Sequence, residues 1–406
     1  MGPGLNAVPA RGASMLLDVL WIFLRLGVTS FGGPVAHLGY FRAEFVERRK
    51  WLDEVAYSDI IALCQFLPGP ASSQVGIIIG MTRAGLPGAL AAWFGFTMPS
   101  ALALIAFAYG LGHLGDISHL AWLHGLKIVA VAVVAQAVWG MALRLCPDRE
   151  RITLAVAAAL LALAVPSAAG QIGAIAAGGI IGWRCLPGED KVEITPLAVP
   201  VRVFPAIACL VLFAVLLLGL PLVATVTSDR AIELISNFYR SGSLVFGGGH
   251  VVLPLLQQAV VPSGWISNDA FLAGYGAAQA VPGPLFTFAA YLGAAMTPAP
   301  NGWTGGLICI AAIYLPSFLL LMGVLPFWDG LRRRGAVQAA LKGVNASVVG
   351  ILLAALYSPV WTSAIFTKVD FGLGLGAFLL LVFWGMPSWL VVIFGACGAT
   401  ALAMVS

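Results

Sequence analysis

The chain has 406 residues, 60% of them hydrophobic and only 9% charged. A water-soluble domain carries roughly 25% charged residues, so a soluble fold is excluded and an all-α integral membrane protein is expected. The net charge of +4 gives no nucleic-acid signal, because the basic residues fall in short stretches between apolar runs.

Residues 1–14 read as an N-terminal cytoplasmic tail. The apolar run 15–30 has no small-residue cleavage site and reads as an uncleaved first segment. Short pieces follow at 34–45, 55–67 and 71–81, the first half's candidates for broken or re-entrant helices, since crossing the hydrocarbon core takes about 20 residues. Runs long enough to span come next, at 87–112, 121–143, 152–183 (enough for two helices) and 203–226. The second half repeats the order: short pieces at 231–246, 250–261, 269–281 and 285–295, then spans at 303–326, 335–357 and 371–406 (again two). These runs divide the chain into a first repeat (15–186), a linker with an extra transmembrane helix (187–229) and a second repeat (230–406). Forty-eight Gly and 24 Pro suit a polytopic helical bundle. Six scattered cysteines without CxxC spacing read as buried, inert thiols, and neither a metal nor a cofactor is expected.

Two phrases are written twice. Phe31-Gly32-Gly33-Pro34, followed by His37, returns 215 residues later as Phe246-Gly247-Gly248-Gly249-His250. Gln65-Phe66-Leu67-Pro68-Gly69-Pro70 returns 214 residues later as Gln279-Ala280-Val281-Pro282-Gly283-Pro284. Both place Gly and Pro inside apolar stretches. Irregular backbone survives at membrane depth only where protein or a water-filled cavity surrounds it. Duplicated broken helices therefore point to a secondary transporter with its site at the breaks.

Charge fixes the topology. If each short pair enters the membrane and returns, Arg42, Arg48, Arg49, Lys50, Arg83, Arg144, Arg184 and Arg332 to Arg334 all share one face. Two full spans per pair would move the Arg42–Lys50 cluster to the other side, so the positive-inside rule favours re-entrant pairs and a cytoplasmic basic face. An odd number of crossings before residue 230 then inverts the second repeat. The Arg42–Lys50 stretch reads as a solvated amphipathic loop. Trp51 and Trp265 read as interfacial anchors, and Pro99-Ser100 and Pro316-Ser317 as kinks.

Four ionisable positions repeat with the glycines. Asp18 matches Glu233, Arg25 matches Arg240 and Lys127 matches Lys342, while His37 and His250 correspond more loosely. A charge at the centre of a membrane helix costs about 2.5–3.5 kcal/mol on the mildest scale. Arg25 and Arg240 therefore either serve the substrate cavity or sit in structural ion pairs. Asp18, Glu233, Lys127 and Lys342, with the histidines, either carry coupling or neutralise neighbours. Pro70 opening Ala71-Ser72-Ser73 is a helix start whose free N–H groups and positive dipole end suit an anion. Pro284 leads to Thr287 in the same way, and Gly33-Pro34 and Gly249-His250 can open two further half-helices. Gly and Pro acting as hinges or packing positions is the alternative. Arginines plus helix N-termini describe a cavity for an oxyanion.

On Phe31-Gly32-Gly33-Pro34 with His37, the 41–51 segment, Gln65 to Pro70, and their second-half counterparts, the sequence resembles the chromate ion transporter family in its two-domain form. The resemblance covers essentially the whole chain. It implies export of chromate from the bacterial cytoplasm across the inner membrane, with Arg25, Gly32, Gly33, Pro34, Gln65, Pro68, Gly69, Pro70 and their partners as functional residues. Gly249 stands where the first half has Pro34. Chromate and sulfate are similar tetrahedral dianions, so the residues alone stop at "oxyanion". A sulfate importer, and more remotely an intramembrane enzyme acting on lipid phosphates, are the rival readings. Expected partners are the oxyanion and the lipid bilayer, with protons as coupling ion and a homodimer left open.

Overall fold

Glycine and proline open the gaps between helices at 67–70 and 281–284, whereas Pro99, Pro221 and Pro316 lie inside helices. The computed structural model describes residues 13–113, 120–188, 202–246, 249–297 and 299–405. The first half holds α1 (Ala13–Thr29), α2 (Gly33–Phe41), α3 (Glu54–Phe66), α4 (Ala71–His113), α5 (Ala121–Leu145), α6 (Arg149–Ala164) and α7 (Ala168–Cys185). After α8 (Val203–Thr227) come α9 (Arg230–Ser243), α10 (Val252–Val260), α11 (Asn268–Ala280), α12 (Phe288–Ala295) and α13 (Gly302–Val324). The chain ends with α14 (Trp328–Leu331), α15 (Gly335–Ala355), α16 (Lys368–Val382) and α17 (Ser388–Val405). A π-helical segment (Arg42–Arg48) prolongs α2, and 3-10 turns (Gly249–Val251, Leu285–Thr287) lead into α10 and α12. No strand occurs among the described residues, and five of their helices are long and apolar enough to cross a membrane.

The short helices enter and return. Phe23 of α1 stacks on Phe45 at 5.2 Å and meets Phe41 edge-on at 5.7 Å. The chain after Gly33 therefore runs back along α1 to the face it left. Next, α3 runs inward to Leu67, and α4 turns back at Ala84 and Gly85, whose backbone leaves the helical region (Gly85 φ +64°). The two arms of α4 pack so tightly at Gly80 and Gly88 that a Cβ on either would strike the other's carbonyl. Gly293 of α12 and Gly305 of α13 form the same contact in the second half.

Basic residues gather on one face, as expected. Arg83 and Arg49 lie over the Trp51 ring at 4.4 and 5.5 Å, and Arg332 pairs with Asp59 at 3.0 Å. In the α5–α6 loop, the Arg151 hydrogen bond holds the Asp148 carboxyl below the ordinary range, so it stays charged. The second half starts from the opposite face, where Arg230 covers Trp265 at 4.9 Å. The repeats are inverted.

They also interlock. The first repeat's α5 packs on α16 and α17 of the second, and the second repeat's α15 packs on α6 and α7 of the first. Small residues allow the close approach: Gly125 meets Gly395, and Gly343 meets Gly178. By contrast, α8 is apolar all round and only 6% of its spanning window is buried. Such a helix faces lipid.

Three expectations change. The Arg42–Lys50 stretch is not a solvated loop: it begins as the π segment, and Glu44 and Phe45 are buried. Burial holds for Cys64, Cys146 and Cys309, whereas Cys185 and Cys397 are exposed. Residues 371–406 do form two helices, but their connection lies at the breaks rather than at a face: Trp389 packs on Phe31 at 5.8 Å, and the Ser388 hydroxyl donates to the Gln279 carbonyl at 3.3 Å.

Candidate functional site

The two Pro-Gly-Pro breaks are completed by one another's repeats. Gly69 N–H donates to the Val245 carbonyl at 2.7 Å, and Gly283 N–H donates to the Ser30 carbonyl at 2.9 Å. Ser30 and Val245 correspond at the repeat shift of 215, so the exchange is reciprocal. Both glycines have positive φ, +126° and +101°, where a side chain is strained. A Cβ on Gly69 would collide with Ser317 Oγ, and one on Gly283 would lie 2.8 Å from Ser100 Oγ. The serines of the two Pro-Ser kinks thus sit beside the opposite repeat's break. In the sequence this pair, recurring 217 residues apart, reads only as kinks, and its place beside the breaks is not legible there.

Several helices lack side-chain caps, α5, α8, α13 and α15 among them, and so do three that begin at the breaks. Asp53, Asp148, Ser167, Asp229, Ser267 and Thr367 cap their helices with side-chain oxygens. No side chain caps α2 behind Gly32, α10, or the 3-10 turn after Pro284. Three of these starts gather: a Cβ on Gly249 would lie 3.6 Å from Pro34 Cγ and 3.8 Å from Leu285 Cβ. Free N–H groups at such ends favour negative charge.

Polar side chains surround this centre. Buried His37 places Nε2 3.2 Å from the Ser30 carbonyl and Nδ1 3.3 Å from Ser72 Oγ. A carbonyl only accepts, so Nε2 carries the proton and Nδ1 accepts from Ser72. Ser73 Oγ lies 3.3 Å from the Tyr314 hydroxyl, and Gln74 Nε2 donates to the Pro68 carbonyl at 2.7 Å. In the second half His250 Nδ1 meets the Tyr275 hydroxyl at 2.7 Å, and Thr287 donates to the Pro284 carbonyl at 2.7 Å. Ser30 Oγ, Gln74 Oε1, Gln279 Nε2 and Ser317 Oγ are buried with no hydrogen-bond partner among the described residues. Gly32 and Gln65 are exposed, Gly33, Pro34, Pro68 and Pro282 are half-buried, and Pro70 and Pro284 are buried. Gly247 and Gly248 lie outside the described residues.

The repeated charges are not all brought to the centre. Arg25 Nη2 bonds Glu44 Oε2 at 2.6 Å and lines an open cavity of about 330 Å³ with Leu26, Thr29, Tyr40, Ala43, Glu44 and Arg48. Arg240 donates to Asn237 Oδ1 at 3.1 Å. Asp18 and Glu233 are exposed near the outer ends of α1 and α9. Buried Lys127 pairs with Asp269 at 3.0 Å, and Lys342 Nζ donates to the Pro187 carbonyl at 3.1 Å. Glu44, the carboxylate that answers Arg25, had no sequence signal of its own.

The profile described as "Chromate transporter" matches residues 17–183 and again 232–400. The chain belongs to the chromate transporter family. Among relatives, it is 26% identical over 342 residues to a chromate transport protein of Pseudomonas aeruginosa, covering 81% of this chain and 77% of that one. It is 24% identical over 352 residues to a chromate transport protein of Cupriavidus metallidurans, covering 84% and 82%. An uncharacterized transporter of Bacillus subtilis is 32% identical over 133 residues, 32% of this chain and 70% of that one. No solved structure matches. Like other members of the chromate transporter family by name, the chain is a multi-pass membrane transporter with two matched regions.

Proposed function

We propose that this protein carries chromate, or a tetrahedral dianion of like size such as sulfate, out of the bacterial cytoplasm across the inner membrane. The observation that carries the reading is the reciprocal pair of hydrogen bonds, Gly69 to Val245 and Gly283 to Ser30. It joins two sets of re-entrant hairpins that enter from opposite faces. Uncapped helix starts at that junction offer N–H donors, and Arg25 adds a guanidinium five residues before Ser30 on the basic side. Alternating access requires this junction to open to one face at a time. His37, held between Ser30 and Ser72, is our candidate for a coupling-proton carrier. The relatives' names supply chromate.

The test is radiolabelled chromate and sulfate flux in oriented vesicles, with and without a pH gradient. Expected is saturable chromate movement out of the cytoplasmic side, stimulated by an opposing proton gradient. Absence of chromate and sulfate flux in correctly folded protein would refute the proposal. Flux indifferent to pH would remove the proton from it.

A further inference from the structure

Arg25 and Glu44 meet because the π segment after α2 folds back along α1. Segments with this wider winding are frequent at functional sites. Glu44 is only 5% exposed, yet three guanidinium groups reach it. Its two oxygens are used differently. Oε2 accepts from Arg25 at 2.6 Å and from Arg48 at 2.9 Å, whereas Oε1 accepts from Arg49 at 2.6 Å. Arg49 is fixed independently by the Trp51 ring. The side chains of Arg25 and Arg48 are 44% and 58% exposed, and both line the cavity. One carboxylate oxygen is thus tied to the wall, and the other sits on two arginines that an anion from outside can reach.

We infer that this cavity is an oxyanion subsite, an inference that rests on the transport reading, in which Glu44 Oε2 stands in for one ligand oxygen. An incoming anion takes Arg25 and Arg48 from Oε2, and Glu44 stays anchored to Arg49 through Oε1. Charge then sets selectivity. Arg25, Arg48 and Arg49 with the retained Glu44 leave a net positive cluster, so a dianion gains more Coulomb energy there than a monoanion. A tetrahedral dianion also has oxygens enough for both arginines and for the Tyr40 hydroxyl. Thr29, at the inner end of the lining, directly precedes Ser30 of the break. The subsite is therefore the first station on a path from the basic face to the junction, and Glu44 returning to Arg25 and Arg48 helps to release the anion onward.

The experiment is isothermal titration of the full chain in nanodiscs with sulfate, chromate and perchlorate, a tetrahedral monoanion. Glu44→Gln should tighten sulfate binding roughly tenfold and widen the preference for sulfate over perchlorate, because the charge removed repels a dianion more than a monoanion. Arg48→Gln, at an exposed position that puts folding at little risk, should weaken sulfate binding roughly tenfold. Sulfate affinity at the wild-type level in Arg48→Gln, or weakened in folded Glu44→Gln, would overturn the inference. Should Glu44→Gln not fold, Arg48→Gln decides alone. Chromate flux by the wild type with both variants binding normally would sink the subsite and leave transport standing; a wild type with neither flux nor binding would sink both.

Discussion

The two repeats are alike in backbone and unlike in charge. Each has a break completed by the other, glycine at positive φ, and a serine from the opposite kinked helix beside it. Around the first break, Arg25 faces a cavity with Glu44 and Arg48; around the second, Arg240 turns to its own neighbour Asn237. The stretch Glu44 to Trp51 holds five charged residues, and its counterpart Gln258 to Trp265 holds none. His37 bridges Ser30 and Ser72, whereas His250 meets Tyr275. The geometry of the junction requires both halves equally, while the charge beside it is written into one half, on the basic side.

The sharpest way to break this comparison is at the glycines. Gly283→Ala should cost about 3 kcal/mol, because a Cβ at φ +101° also crowds the Phe96 and Gly27 carbonyls at 3.3 and 3.4 Å. Gly69→Ala should cost about 1–2 kcal/mol, since side-chain ends can move aside there. Thermal unfolding measures both, and anion binding should fall in each. A larger loss at Gly69 would mean that the packing difference has been misread. Next come the arginines. Arg25→Ala should lower chromate flux about 100-fold and Arg240→Ala no more than about tenfold, the spread expected of charge-assisted hydrogen bonds. Arg25→Lys should recover little, as the planar fork is gone. Equal flux in the two alanine variants at matched expression would erase the proposed asymmetry of charge.

A smaller effect separates the lysines. Lys127→Met breaks a pair whose partner Asp269 is 41% exposed, so about 1 kcal/mol is expected after solvent screening. Lys342→Met, which loses a bond to the Pro187 carbonyl at the surface, should stay below about 0.5 kcal/mol. Thermal unfolding of the two variants decides the order. Smallest in energy is the test of sidedness. Arg333→Cys should be labelled only from the basic side and Ser263→Cys only from the other, in protein whose exposed Cys185 and Cys397 are replaced. Reversed labelling at both positions would rule out a cytoplasmic basic face.

The breaks were legible because Gly and Pro in a lipid-embedded helix are costly unless something answers them, and they recur at one shift. Inversion was legible through the lysines and arginines of the loops. Glu44 was not legible. Alternating acids and bases from Arg42 to Lys50 look like any solvated loop, and only the return of the chain along α1 brings Glu44 to Arg25. Nor was the depth of the α16–α17 connection. A long apolar run does not reveal where it turns; packing of Trp389 on Phe31 fixes that. Arg25 stands out in the sequence as a charge needing an answer, and with Asp18 two turns away on its own helix the carboxylate that bonds it is Glu44.

The linker helix α8 packs on α9 and α13 and leaves most of its surface exposed. Its consequence belongs to synthesis rather than packing. Two like segments emerging from one ribosome tend to insert the same way round, and in that arrangement Gly283 could never reach the Ser30 carbonyl. One added crossing of 25 residues turns the second segment over as it is made. Two separate half-length chains would have to reach the same end by inserting in opposite orientations and finding each other afterwards; in this chain the reversal is covalent, and partner and stoichiometry are settled before folding begins.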